Sequence, residues 1–145
     1  MKEYNNLGWA TDVLSQSARS YLIDYFEEDK VYKEENYNLR KVWQNSIDYE
    51  DPIQVEMVDR VQLAAETTTR MELLPCRNAF LCDYTEGSWA KGHTDDGSAS
   101  DCSVITMIDL SQDLVGGEAY FSKTKESLDY HKMIPGPLEN GDRFL

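Results

Sequence analysis

His93-Thr94-Asp95 places an imidazole and a carboxylate two residues apart. In an extended chain, positions i and i+2 point to the same face, so the two groups would converge on one point. They would form two thirds of the 2-His-1-carboxylate set that holds Fe(II) and leaves coordination positions open. The same spacing also suits an ordinary histidine–carboxylate hydrogen bond, and the spacing alone does not choose between the two. The cysteines Cys76, Cys82 and Cys102 include no CxxC, which fits buried thiols in a reducing compartment rather than thiolate catalysis.

The elements that must position such a pair divide into a helical part and a strand-rich part. The apolar residues Ala10, Val13, Leu14, Ala18, Tyr21, Leu22, Tyr25 and Phe26 recur at spacings of three and four. They predict an amphipathic helix over residues 10–26, with Thr11 or Asp12 as its cap and Glu27-Glu28-Asp29 at or beyond its end. Residues 30–52 show no clear period and read as a loop with short elements and a turn near Val42-Trp43. Pro52 suits the first turn of a second helix. That helix carries Ile53, Met57, Val58, Val61, Ala64, Ala65, Thr68 and Met71, weakens at the threonines 67–69 and ends by Pro75.

Downstream, residues 78–84, 103–110, 118–121, 132–134 and 143–145 read as strands, with turns at Gly116-Gly117 and Asn140-Gly141. Two helices followed by short strands and glycine-rich turns predict an α+β domain, a helix-supported β-sandwich or jelly roll. The whole chain of 145 residues reads as one domain, with 1–75 mainly helical support and 76–145 the strands.

Fourteen basic residues against twenty-seven acidic ones leave a net charge of −13. That balance disfavours nucleic acid and anionic membrane as partners. It serves solubility and leans faintly towards cationic substrates. The first ten residues contain no apolar signal region, and no run of eighteen apolar residues occurs, so the expected compartment is the cytoplasm.

The stretch from Tyr84 through Gly87 to His93 and Asp95 resembles the Y-x-x-G-x(5)-H-x-D signature of the iron(II)/2-oxoglutarate dioxygenases, prolyl 4-hydroxylase-like branch. The run Ser103-Val104-Ile105-Thr106-Met107-Ile108-Asp109-Leu110 is similar to that family's central strand. Gly116-Gly117-Glu118 with Tyr120-Phe121 is similar to its GGE-x-x-F element. Ile134-Pro135 and Gly141-Asp142-Arg143-Phe144-Leu145 resemble its approach to the distal part of the site.

The resemblance implies N-terminal helices packed on a double-stranded β-helix, or jelly roll, with its C-terminal strands missing. It implies Fe(II) and 2-oxoglutarate as cofactors, with His93 and Asp95 as iron ligands. Tyr84 would reach the 2-oxoglutarate, Thr106 would line its pocket, and Gly87 and Gly92 would turn the chain towards the metal. The implied enzyme is a dioxygenase, an oxidoreductase that hydroxylates or otherwise oxidises a small molecule or peptidyl residue. The alternative is an inactive binding or assembly module on the same fold.

The pattern also implies a distal histidine and a basic carboxylate anchor. His131 and Arg143 precede the positions where the family carries them. Those groups are therefore expected beyond Leu145, from a second chain pairing with the incomplete sheet, or not at all in a shortened relative.

Overall fold

A computed structural model describes residues 9–10, 13–34, 40–90, 103–111, 113, 115, 120–121, 131–132 and 143–144. The elements in chain order are β1 (Trp9–Ala10), α1 (Gln16–Asp29), β2 (Val31–Glu34), β3 (Arg40–Ser46), α2 (Pro52–Thr69), β4 (Phe80–Asp83), β5 (Trp89–Ala90), β6 (Ile105–Thr106), β7 (Tyr120–Phe121), β8 (His131–Lys132) and β9 (Arg143–Phe144).

Helix α1 begins later than the apolar period predicts. Ser15, rather than Thr11 or Asp12, is its cap, and its hydroxyl accepts from the Ala18 backbone N–H at 3.2 Å. An extended residue with a short oxygen-bearing side chain satisfies one of the donors that a helix start leaves orphaned. The acidic run 27–29 lies inside the last turn, and Lys30 follows as the C-cap.

Helix α2 starts where Pro52 predicts. Asp51 caps it by accepting from the Ile53 N–H at 2.9 Å. At its far end, the hydroxyls of Thr67, Thr68 and Thr69 donate to the carbonyls of Leu63, Ala64 and Ala65 at 2.8, 2.8 and 2.7 Å. Threonine hydroxyls that bond back in this way weaken helix continuation, and Arg70 stops the helix in the left-handed conformation at φ 55. The chain then returns along α2. Gln62 donates to the Leu73 carbonyl at 3.3 Å and accepts from the Cys76 N–H at 2.9 Å, while Glu66 accepts from the Leu73 N–H at 3.1 Å.

Residues 30–52, read from the sequence as loop and turn, supply the centre of the main sheet. Strand β3 pairs antiparallel with β2, with Tyr32 opposite Trp43, and with β4, with Asn45 opposite Leu81. Beyond β4, β5 also pairs with β3, placing Trp89 opposite Lys41. Since Asp83 faces Trp43 and Trp89 faces Lys41, residues 84–88 stand against Val42 alone, a looped-out bulge longer than the usual single extra residue. Val42 is wholly buried, so its side chain fixes the middle of the sheet while the neighbouring strand loops around it.

The core lies between the helices and this sheet. Leu14 and Leu22 from the α1 region pack with Met57 of α2, and Ala18, Ile47, Val61, Leu81 and Ile108 join them. Tyr25 of α1 donates to the Ser46 carbonyl at the end of β3 at 2.7 Å, tying helix to sheet.

The remaining strands form a three-stranded sheet in the order β1-β9-β6 and a β7–β8 pair. The segment 103–110, expected as one long strand, contributes only Ile105–Thr106 to pairing among the described residues. The chain is thus a mixed α+β domain with an open four-stranded antiparallel sheet, and the expected jelly roll is corrected. Among the described residues the sheet does not close into a double-stranded β-helix: its central strand comes from residues 40–46, with β2 along one side and β4 and β5 along the other. The likeness to the iron(II)/2-oxoglutarate dioxygenases falls with that fold. Among the described residues no helix is long and apolar enough to cross a membrane.

Candidate functional site

His93 and Asp95, the proposed ligand pair, lie outside the described residues, as do Gly92 and Gly116-Gly117-Glu118. Tyr84 opens the bulge that follows β4 and is about half exposed. Thr106 belongs to β6, in the separate three-stranded sheet, opposite Arg143. His131 stands on β8 opposite Phe121. Of the residues expected around the iron and its cosubstrate, only Tyr84 and Thr106 fall among the described residues.

Gly87 does turn the chain. It sits at φ +80 in a turn closed by the Ser88 N–H donating to the Thr85 carbonyl at 2.9 Å. A Cβ there would meet nothing within 4 Å, so the backbone angle, not space, favours glycine.

Among the described residues no group of three or more His, Cys, Asp or Glu side chains is placed to hold a metal ion. With the β-helix also absent, the dioxygenase activity, the oxidoreductase assignment and the inactive module on that fold are all overturned.

The structure instead assembles a cationic group, aromatic faces and a carboxylate at the end of α1. The Lys30 ammonium lies 5.8 Å from the Phe26 ring centre and 5.3 Å from that of Trp43. It also meets Glu27 Oε2 at 2.8 Å. Tyr32 meets Trp43 edge-to-face, with centres 5.3 Å apart and planes inclined by 62°. Each part has a local origin. Phe26 and Lys30 are four residues apart on the helix and its cap, and Tyr32 and Trp43 are register partners across β2 and β3.

The electrostatics of this corner favour a cation. Helix carbonyls at a C-terminus carry partial negative charge. The last turn of α1 contains Glu27, Glu28 and Asp29 and no basic residue. Aromatic faces add the attraction of their quadrupoles for positive charge within about 6 Å.

A second polar cluster ties the start of α2 to α1. The Tyr21 hydroxyl donates to Asp51 Oδ2 at 2.5 Å, and Gln54 Nε2 donates to the same oxygen at 3.2 Å. The Tyr21 bond holds the Asp51 carboxyl below its usual pKa, and the carboxylate raises that of the Tyr21 hydroxyl. A shallow groove of about 260 Å³ lies alongside, lined by Leu14, Ser15, Tyr21, Ile53, Met57 and Arg60 among others. Its polar tips are already engaged, because Arg60 is bound to Glu56 at 2.9 Å and Tyr21 to Asp51.

Sequence reasoning missed the Lys30 corner. The i, i+4 pair Phe26 and Lys30 was a readable signal, but the contribution of Trp43 depends on a hairpin hidden in the aperiodic residues 30–52. No family model, curated protein or solved structure matches the chain.

Proposed function

We propose that this chain is a binding domain for organic cations, which it holds between Phe26 and Trp43 with Glu27 as counter-charge. The observation that carries the proposal is the ammonium of Lys30 already seated on both rings beside that carboxylate. The net charge of −13 supports it by drawing cations towards the protein. The partner proposed is a small molecule or peptide bearing an ammonium group, rather than nucleic acid or membrane, and the compartment proposed is the cytoplasm.

Titration with tetramethylammonium chloride, against sodium chloride at matched ionic strength, tests this reading by tryptophan fluorescence or NMR. A saturable response that weakens in Trp43→Leu and Glu27→Gln is the expected result, with circular dichroism confirming that each variant folds. A response to tetramethylammonium no different from that to sodium in the wild-type protein overturns it.

A second, separate proposal concerns His93 and Asp95. Their i, i+2 spacing would let an imidazole and a carboxylate share one divalent metal ion, with Fe(II) as the ion and 2-oxoglutarate as the carboxylate to be tried with it. It is a proposal of binding alone. Anaerobic calorimetry should show Fe(II) uptake by the wild-type chain that is lost in both His93→Ala and Asp95→Ala. Equal uptake by all three removes it.

A further inference from the structure

Resting on the cation-binding reading, we infer that Lys30 is an internal occupant of the site and that its external ligand is a quaternary, methylated ammonium group. Lys30 reaches the rings from the C-cap, where its backbone is extended at φ −62, ψ 138. It can therefore leave by rotating its own side chain while α1 and the sheet stay in place. Phe26 is held in the core face of α1, and Trp43 sits in the central strand. The walls are fixed, and the occupant is held to them by one ion pair and two ring contacts at the end of a flexible stem.

The ligand class follows from the walls. A primary ammonium is a compact, strongly hydrated charge, and seating it on rings forfeits hydration that two aromatic faces do not replace. A quaternary ammonium carries its charge over methyl groups that are apolar enough to pack on those faces, which is how aromatic cages recognise choline and methylated lysine. Tyr32, in edge contact with Trp43 and exposed, extends the aromatic surface beside that ring. Glu27, freed of Lys30, remains as counter-charge, with the C-terminal carbonyls of α1 behind it.

Lys30 thus competes with any incoming cation. The apparent affinity of a site falls by the fraction of molecules in which it is open. Rim contacts of this kind leave the site open about one sixth of the time at their strongest, so removing Lys30 strengthens binding up to about sixfold.

The test is a parallel titration of wild type, Lys30→Ala and Lys30→Gln with tetramethylammonium and with methylammonium, followed by NMR of the tryptophan indole N–H signals. Two lysine variants guard against a cap defect peculiar to one of them. The expected result is tetramethylammonium binding up to about sixfold tighter in both variants than in wild type, with methylammonium weaker throughout. Equal tetramethylammonium affinity in wild type and both variants overturns the role of Lys30 as occupant. Methylammonium binding as tightly as tetramethylammonium overturns the ligand class. Absence of saturable binding of either cation by any of the three proteins overturns the cation-binding reading itself, an outcome distinct from the other two.

Discussion

The start of α2 and the end of α1 are both polar helix termini, yet they are built to opposite ends. At the start of α2, Asp51 gathers the Tyr21 hydroxyl, the Ile53 N–H and the Gln54 amide, and Gln54 in turn accepts the Asp48 N–H at 3.0 Å. Gln54 is only 1% exposed. Every partner in that cluster belongs to the fold, so the cluster locks two helices together. At the end of α1, an ammonium with three donors meets one carboxylate and two ring faces, contacts that a foreign cation can reproduce. A hydrogen-bonded network anchored on a buried amide specifies structure, whereas a cation resting on rings at a rim is replaceable.

The largest effect that would break this contrast is on Gln54. Gln54→Ala leaves the Asp48 N–H without its acceptor, removes a donor from Asp51 and opens space in the packed region around Met57. The expected loss is about 2–3 kcal/mol, the scale of a buried polar group left unsatisfied. Urea denaturation should show a lower midpoint at unchanged m-value. A midpoint within error of wild type would mean that the cluster does not hold the helices together.

A smaller effect separates the two termini by pH. The Tyr21 bond lowers the Asp51 pKa below its ordinary value of 3.8. A carboxylate whose folded pKa is depressed adds stability above its unfolded pKa and loses it as pH falls through the folded value. Asp51→Asn keeps a competent cap but removes that titration. Wild type should therefore be the more stable protein above about pH 4, and the two should converge in more acid solution. A gap that stays constant down the acid limb would show that charge on Asp51 has no part in the lock.

How much of this was legible in the sequence depended on where the information lay. Pro52 after Asp51 announced α2, because a cap and a first-turn proline act locally. The threonines 67–69 marked its end for the same reason. Ser15 was passed over in favour of Thr11 and Asp12 because the apolar period extends upstream to Ala10, and periodicity reports a face, not a boundary. Strand β3 was invisible: Arg40–Ser46 has only Val42 and Trp43 as apolar residues, side by side, with no alternation to read. Its identity comes from pairing with Tyr32 and Leu81, which are distant in sequence. The Lys30 corner was hidden with it. The run 103–110 misled in the other direction, since β-branched residues favour a strand only when a partner strand is present to pair with.

The smallest expected effect is on Lys30, and it sharpens the comparison most. Lys30→Ala removes an ion pair with Glu27, whose side chain is 53% exposed, and two ring contacts at a partly open rim. Exposed ion pairs and rim cation–π contacts each contribute only a fraction of a kcal/mol to about 1 kcal/mol. The unfolding midpoint should therefore move by about 1 kcal/mol or less, well short of the Gln54→Ala loss. Without Lys30, Phe26 stays anchored in α1 and Trp43 keeps Tyr32 as its strand partner. A loss as large as that of Gln54→Ala would make Lys30 a structural lock like Asp51. A near-neutral change instead means that its contacts with the rings are ones the fold can surrender to a ligand.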